Sequence, residues 1–302
     1  MTIHILVAVH NRCSLTRKFL SELLAQSCSE PMNIVVVDDG STDGTAAMLD
    51  QQCLLSSERV QISVIHGDGT WWWAKSMANA MDSTRHRIEE EDVVVFMNDD
   101  ISVPHNTVEE LARSSRSVGG IVKATLRDID NPKTVLDRGC LLDPKTLSIV
   151  PLPLVPSRFE YSNIDIAPGR TVAYPGSVFT SGLNINYEKL PHHLADLEFS
   201  VRASREGFPI RLAEEICTLS INEGGLSGPS PNIWHRLTHI SSPDRLGSHW
   251  AFWRTVLPDL PKWSLAWRLF RFRLFPNLLT FVPRADALLK SRDDRQRVED
   301  EA

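Results

Sequence analysis

The 302-residue sequence lacks the features that mark several common classes of protein. Its five cysteines are widely spaced and form no C-x-x-C pair, so a disulfide scaffold is excluded and reduced thiols are expected. No run of about 18 apolar residues is present, so we expect no membrane-spanning helix. The formal net charge of -6 argues against nucleic acid as a partner, because such proteins neutralise phosphates with basic side chains.

A signal peptide is not predicted either. The opening apolar run, residues 3–9, is followed at once by His10, Asn11 and Arg12 and has no small-residue cleavage site, which is typical of a strand. With 42% hydrophobic and 23% charged residues, the chain has the composition of a folded globular protein, not a disordered one. We therefore expect a folded protein in the cytoplasm.

Strands and helices alternate in the first part of the chain. Apolar segments rich in β-branched residues predict strands at residues 3–9, 33–37, 60–65 and 92–97. Helical spacing predicts helices at residues 14–27, 45–54, 71–81 and 84–89. Ser14 is a candidate cap for the first of these helices. The order predicts an α/β fold with a doubly wound, mostly parallel central sheet flanked by helices.

The rest of the chain carries weaker signals. Residues 151–175 are rich in proline and without periodicity, which predicts surface loops and short strands with little readable chemistry. A helix is predicted over residues 190–206, ended by Gly207. Five of the eight tryptophans lie beyond residue 233, where a helical extension is expected. The predicted domains are a nucleotide-binding and catalytic domain and a helical C-terminal extension, residues 1–228 and 229–302.

One segment of the extension has a composition suited to a membrane interface. Residues 263–275 read W-S-L-A-W-R-L-F-R-F-R-L-F, which mixes large apolar groups with arginines. The same pattern fits an ordinary packed helix. Both interpretations stay open at this point.

Acidic residues follow the predicted strand at 92–97 directly, as Asn98-Asp99-Asp100. In an open α/β sheet, ligands gather beyond the carboxyl ends of the strands, where carboxylate oxygens can hold Mg²⁺ or Mn²⁺ against phosphates. The alternative is that the two aspartates end the strand and cap the next helix. The run alone favours neither interpretation.

A second acidic strand end lies within residues 35–45, which read V-V-V-D-D-G-S-T-D-G-T. The carboxylate of Asp38 or Asp39 could accept the ring N–H of uracil or thymine, a contact that discriminates strongly between bases. The alternative is a turn stabilised by an aspartate side chain, followed by a helix cap.

Together these residues resemble glycosyltransferase family 2, whose members share a V-V-D-D-G-S-T-D-G-T segment and an acidic D-x-D-type strand end in a GT-A fold. Residues 36–45 match that segment almost literally. The run from Val9 to Arg12 and Asn79 within residues 73–80 are also similar to the family. The resemblance covers roughly residues 3–228.

The resemblance implies roles for individual residues. The nucleotide sugar would contact Val9, Asn11, Asp38, Asp39, Lys75, Asn79 and Asp99. The metal, Mg²⁺ or Mn²⁺, would be held by Asp100 as the preferred direct ligand, with Asn98 where the family more often has an aspartate. For Lys75, a phosphate contact and a solvated surface lysine are both open. Near Asn222, family members often carry a metal-binding histidine that this sequence lacks; the equal alternative is a glycine-rich surface turn over residues 222–228.

The segment L-A-D-L-E-F-S-V-R-A at residues 194–203 is similar to the E-D-x-D-x-x-x-R-A helix of the family. By that resemblance Asp196 is the catalytic base, supported by Glu198 and Arg202, while Ala195 stands where the family more often has a glutamate. A base must take the proton of the acceptor hydroxyl as that hydroxyl attacks. The alternative is structural, with Asp196 at the helix N-terminus and Glu198 paired to Arg202 at i,i+4 spacing.

Three successive tryptophans, Trp71, Trp72 and Trp73, cannot all face one core, so at least one is expected at the surface or in a cleft. Stacking on a saccharide or lipid-linked saccharide acceptor is one interpretation, and core packing is the other.

The resemblance implies an inverting, metal-dependent glycosyltransferase that uses a nucleotide-diphosphate sugar, with a rhamnosyl donor as one candidate. Its expected role is cell-surface polysaccharide synthesis at the inner face of the cell membrane. A sugar-1-phosphate nucleotidyltransferase is a second hypothesis, although its glycine-rich N-terminal phosphate loop is missing. A nucleotide-sugar-binding partner without turnover is a third, favoured by Asn98, Ala195 and Asn222. The sequence predicts neither the linkage nor the oligomeric state.

Overall fold

The structure is a computed structural model that describes residues 1–154, 161–220 and 232–274. The strands are β1 (Ile3–Val9), β2 (Met32–Asp38), β3 (Val60–His66), β4 (Val93–Met97), β5 (Ile101–Ser102), β6 (Ile121–Asp128), β7 (Val135–Asp137), β8 (Cys140–Asp143), β9 (Ser148–Pro151), β10 (Tyr161–Asn163), β11 (Thr171–Pro175) and β12 (Ile210–Ser220). The helices are α1 (Cys13–Leu24), α2 (Thr45–Cys53), α3 (Trp72–Thr84), α4 (Thr107–Val118), α5 (Ser177–Thr180), α6 (Ala195–Arg205), α7 (Ile233–Thr238), α8 (Leu246–Val256) and α9 (Lys262–Leu274).

One sheet of ten strands organises the fold, with a central order of β10-β12-β6-β11-β4-β1-β2-β3. The neighbours β4, β1, β2 and β3 run parallel, as do β6 and β12. Strand β11 is antiparallel to both β4 and β6. The predicted α/β class with a doubly wound sheet is confirmed. Because β1, β2 and β4 are parallel, their carboxyl ends meet at one edge of the sheet.

Helices cover both faces of this sheet, which explains why the strands are apolar along their whole length. Side chains alternate between the faces, so Ile5 and Val7 of β1 pack with Leu20 of α1, whereas Leu6 packs with Met77 of α3. The four strands predicted in the first part of the chain are all present with small differences in their ends.

The cap of α1 and the start of α6 differ from the prediction. Helix α1 begins at Cys13 after Arg12 and has no side-chain cap, so the prediction that Ser14 caps it is wrong. Helix α6 begins at Ala195, later than predicted, because Leu194 has a positive φ of 68° and cannot continue a helix. The predicted stop at Gly207 is confirmed, since its φ of 100° ends the helix.

The prediction that residues 151–175 cross the surface as loops and short strands is right about a short strand, β11, but wrong about its position. This strand lies in the middle of the sheet, and its residue Tyr174 is fully buried against Phe96, Phe179 and Phe199. Five residues next to prolines are too few to show a strand pattern in the sequence. Pairing with β4 and β6 makes this segment a central strand, although its local sequence preference for a strand is weak.

Helices α8 and α9 close one side of the molecule. Phe252, Trp253 and Leu265 are buried against Leu142 and Leu147 of the β8–β9 hairpin region. The predicted glycine-rich turn at 222–228 and the chain beyond residue 274 lie outside the described residues. Within the described residues, none of the helices is long and apolar enough to span a membrane. The division into residues 1–228 and 229–302 stays a prediction.

We predict that Gly176→Ala destabilises the protein by about 2 kcal/mol or more, because the added methyl would clash with backbone that cannot move freely. A Cβ at this position would lie 2.0 Å from the carbonyl oxygen of Glu89 and 3.0 Å from that of Asp92. Gly247→Ala is the matched control, since its Cβ meets nothing closer than 3.5 Å and lies within α8. Urea unfolding should show Gly247→Ala unchanged or more stable, and equal effects of both changes would contradict the placement of β11.

Candidate active site

A cavity of about 680 Å³ opens at the edge of the sheet where β1, β2 and β4 end. It brings together residues that are far apart in sequence and come from all three acidic segments. Eight of the predicted site residues line it: Val9, Asp39, Trp72, Trp73, Asn98, Asp99, Asp100 and Asp196. The cavity is therefore the candidate active site.

Six other predicted site residues are not among those that line the cavity: Asn11, Asp38, Trp71, Lys75, Asn79 and Glu198. The buried Asp38 accepts the backbone N–H of Ser41 at 3.2 Å. Asn11 accepts the backbone N–H of Thr42 at 2.8 Å. These contacts stabilise the turn after β2.

Lys75 and Glu198 also make intramolecular contacts in the structure. The Lys75 ammonium lies 5.2 Å from the ring centroid of Trp71. Glu198 is buried, pairs with Arg202 at 2.9 Å and accepts the Thr255 hydroxyl at 2.9 Å. The i,i+4 pair expected from the structural alternative is therefore present.

The carboxylate of Asp39 holds the loop that leads into α3. It accepts backbone N–H groups from Gly69 at 2.9 Å, Trp71 at 3.2 Å and Trp72 at 2.9 Å. Gly67 packs so closely that a Cβ there would lie 2.7 Å from an Asp39 oxygen. A carboxylate offers about four acceptor directions, so roughly one remains for a base N–H. Asp39 thus both shapes the cavity wall and retains limited binding capacity.

Asp99 lines the cavity and is only 3% exposed. It accepts the Thr16 hydroxyl at 2.7 Å and an Arg12 N–H at 3.2 Å. Burial raises the pKa of Asp99, while the Thr16 hydrogen bond and the Arg12 charge oppose that rise. Arg12 also lies 3.4 Å from an Asp100 oxygen, so one guanidinium group forms ion pairs with both carboxylates.

Asp100 has a spare oxygen suited to a metal ion. Its Oδ1 is buried and meets no hydrogen-bond partner among the residues that the structure describes. Asn98 lines the same cavity and offers an amide oxygen. In the described ranges, no three histidine, cysteine or acidic side chains are placed so that they alone could hold a metal ion. One carboxylate, an amide oxygen and substrate phosphates fit the way in which Mg²⁺ is commonly bound.

Asp196 lies in the first turn of α6 and is half-buried. Its Oδ2 accepts the backbone N–H of Gly169 at 2.7 Å. Burial raises the pKa of Asp196, and the bond from Gly169 opposes that rise. A Cβ at residue 169 would lie 3.1 Å from the Asp196 Cβ and 3.3 Å from the Trp73 ring, so glycine permits this close contact. A raised pKa brings a carboxylate closer to the range useful for a general base.

Several cavity residues were missed from the sequence: Arg12, Ser76, Gly169, Arg170, His192 and His193. The prediction of little site chemistry in residues 151–175 is wrong, because Pro168, Gly169 and Arg170 line the cavity directly before β11. Arg12 could have been found from the sequence, because it is a basic residue that follows β1 closely.

Comparison with known proteins agrees with this geometry. Residues 4–135 match the family model described as Glycosyl transferase family 2. The resemblance to glycosyltransferase family 2 is confirmed. The matched segment contains the strand ends with Asp39 and Asp99, and Asp196 lies beyond it. No curated protein matches the sequence.

Solved structures share the fold at low sequence identity. TarS from S. aureus aligns with a TM-score of 0.57 and 15% identity, over 90% of this chain and 43% of its own, so this chain spans less than half of it. TarS 1–349 in complex with UDP-GlcNAc aligns with a TM-score of 0.59 and 15% identity, over 91% of this chain and 73% of its own. The mannosyltransferase PcManGT from Pyrobaculum calidifontis, in complex with GDP-Man and Mn²⁺, aligns with a TM-score of 0.52 and 14% identity. The alignment covers 97% of this chain and 79% of the mannosyltransferase. These likenesses establish the GT-A fold.

We predict that Arg12→Gln lowers the free energy of unfolding by about 1 kcal/mol, a value kept small because Arg12 is 39% exposed. Removing the cation raises the pKa of Asp99 further, so ionised Asp99 costs more in the folded state. The loss is therefore largest at neutral pH and shrinks as the pH falls towards the ordinary aspartate value of 3.8. Urea unfolding between neutral pH and the ordinary aspartate pKa measures the loss of unfolding free energy. Arg17→Gln, on the exposed face of α1, is the control. A loss that does not vary with pH would contradict the pairing.

Proposed function

We propose that this chain transfers a sugar from a nucleotide-diphosphate sugar to an acceptor hydroxyl by direct, inverting displacement. One observation carries the proposal: the acidic end of β4 and the carboxylate of Asp196 line a single cavity. A donor phosphate and a base for the acceptor need to be close together for this reaction. The family match supports the same chemistry.

The donor would bind across the ends of β1, β2 and β4. Val9 and Asp39 would contact the nucleotide base, and Asp99 would contact the ribose or diphosphate side. Asp100 and Asn98 would hold Mg²⁺ or Mn²⁺, which when bound neutralises charge on the departing diphosphate. Arg12 adds a further positive charge at this end of the cavity. The UDP-GlcNAc and GDP-Man complexes of the two structural relatives support a nucleotide-sugar donor.

Asp196 would act on the acceptor. Its carboxylate takes the proton of the acceptor hydroxyl while that oxygen forms a bond to the anomeric carbon. The bond from the anomeric carbon to the phosphate oxygen breaks, and its electron pair leaves with the diphosphate. Attack opposite the leaving group inverts the anomeric centre. Cell-surface polysaccharide synthesis, with a rhamnosyl donor as one candidate, remains part of the proposal through the family resemblance.

We predict that Asp196→Asn lowers sugar transfer or donor hydrolysis by about 10²- to 10⁴-fold, because the amide cannot accept the proton. Nucleotide release from UDP-GlcNAc, GDP-mannose and dTDP-rhamnose, incubated with Mn²⁺, measures the effect. Because only the carboxylate is active, the wild-type rate should fall with decreasing pH, with a midpoint above the ordinary aspartate pKa of 3.8.

Asp82→Asn is the matched control, since Asp82 is 61% exposed on α3. Full activity of Asp196→Asn would exclude Asp196 as the base. Nucleotide-sugar binding by the wild type without any turnover would favour the binding-partner hypothesis.

We predict that Asp100→Asn weakens UDP binding in the presence of Mn²⁺ by about tenfold and has little effect without the metal, because a neutral amide is a poorer ligand. Calorimetric titration of UDP with Mn²⁺ and with EDTA separates the two conditions. The same Asp82→Asn variant should bind like the wild type. A metal-independent loss would mean that Asp100 acts on the nucleotide and not on the metal.

Peripheral membrane contact through residues 263–275 stays a prediction. In α9 the side chains of Trp263, Trp267 and Phe270 are 76%, 61% and 48% exposed, while Leu265 and Leu269 pack inward. We expect the double variant Trp263→Ala and Trp267→Ala to lose co-sedimentation with vesicles of anionic lipid. Absence of vesicle binding by the wild-type protein would leave α9 as a packed helix only.

A further inference from the structure

One wall of the cavity carries no role in the reaction described above. Helix α3 presents Trp72 and Ser76, one helical turn apart, and the segment before α6 presents His192 opposite them. The Trp72 and His192 rings lie 5.3 Å apart at 54°. Trp72 donates its backbone N–H to Asp39, and His192 lies shortly before Asp196 in the chain.

Trp72 is held in a conformation that its sequence does not favour. Its φ is +56°, which is uncommon for a bulky residue and costs energy. The hydrogen bond from its N–H to Asp39, at 2.9 Å, fixes the backbone there. Strained residues of this kind concentrate at sites that bind ligands. The consequence is an aromatic surface in the cavity instead of in the core.

Two polar atoms on this wall lack partners. Ser76 is only 1% exposed, and its Oγ meets no hydrogen-bond partner within the described parts of the chain. The Nδ1 atom of His192 is also buried and without a partner there. Buried polar groups are nearly always satisfied, so two such atoms on side chains that line one cavity indicate a ligand with hydroxyl groups.

We infer that Trp72, Ser76 and His192 form a binding subsite for a pyranose ring. The apolar face of the sugar would stack on the Trp72 ring, and its hydroxyls would bond to Ser76 Oγ and His192 Nδ1. The inference rests on the proposed function and extends it to residues that recognise the sugar itself. Both donor and acceptor carry such a ring, and the experiment below separates them.

His192 is suited to a neutral ligand. Burial, followed by the nearby His193, lowers the pKa of His192 to about 4. The ring is therefore uncharged near neutral pH, so one nitrogen can accept a hydrogen bond while the other donates. A sugar hydroxyl can pair with either arrangement.

The test compares Ser76→Ala and His192→Phe with the wild-type protein. Ser83→Ala is the matched control, because Ser83 is on the same helix and already bonds to the Ala80 carbonyl. Calorimetry compares UDP-GlcNAc with UDP and GDP-mannose with GDP, all with Mn²⁺. Saturation-transfer NMR measures methyl glycosides of glucose, N-acetylglucosamine, mannose and rhamnose in the presence of UDP.

Both variants should weaken one class of sugar by about three- to tenfold and leave UDP and GDP unchanged. A loss confined to nucleotide sugars assigns the donor ring, and a loss confined to methyl glycosides assigns the acceptor ring. The melting temperature of Ser76→Ala should be equal to or above that of the wild type, since the change removes an unpaired hydroxyl. His192→Asn keeps a polar atom near the Nδ1 position and should retain more affinity than His192→Phe.

Wild-type affinity of both variants for every sugar would overturn the subsite, as would an equal loss for UDP itself. The subsite also falls if no sugar-containing probe binds the wild type more tightly than its parent nucleotide and no methyl glycoside binds. Methyl glycoside binding that is weakened by both variants, in a protein that binds no nucleotide, would support the subsite and contradict the proposed glycosyltransferase function.

Discussion

The shape of the cavity depends on the carboxylate of Asp39. It stands at the end of β2 and binds three backbone N–H groups of the loop before α3. Those bonds hold Trp72 at a positive φ and set where α3 begins. Without them the loop would lose its anchor to the sheet, and the tryptophans would be free to pack elsewhere. One buried side chain therefore links the central sheet to the wall that faces the ligand.

A second constraint is electrostatic. Asp99, Asp100 and Asp196 line one cavity, where burial raises the free energy of the ionised forms of Asp99 and Asp196 and the charge of Asp100 adds to the cost for Asp99. Arg12 and Thr16 offset part of this cost at the β4 end, and the Gly169 N–H does so at α6. The Oδ1 atom of Asp100 remains unpaired within the described residues. The charge that is left uncompensated is placed where a metal ion and a diphosphate would bind.

Much of this arrangement follows from local sequence. Long β-branched runs predict parallel strands, and parallel strands bring Asp39 and Asp99 to the same edge. Arg12 was missed because its partner Asp99 is 87 positions away. The central position of β11 was missed because pairing with β4 and β6, and not its own sequence, sets that position. The sequence could not show which of the three tryptophans line the cavity, because identical neighbouring side chains do not reveal where each one points. The backbone of the loop decides this.

The most direct test of the central claim is a thermal-shift screen of nucleotide sugars with and without Mn²⁺. Any ligand that binds only the folded state raises the melting temperature by mass action. We predict that one nucleotide sugar stabilises the wild-type protein more with Mn²⁺ than without it, and more than its nucleoside does. No stabilisation by any nucleotide sugar or nucleotide, under either condition, would contradict the assignment of this cavity as a donor site.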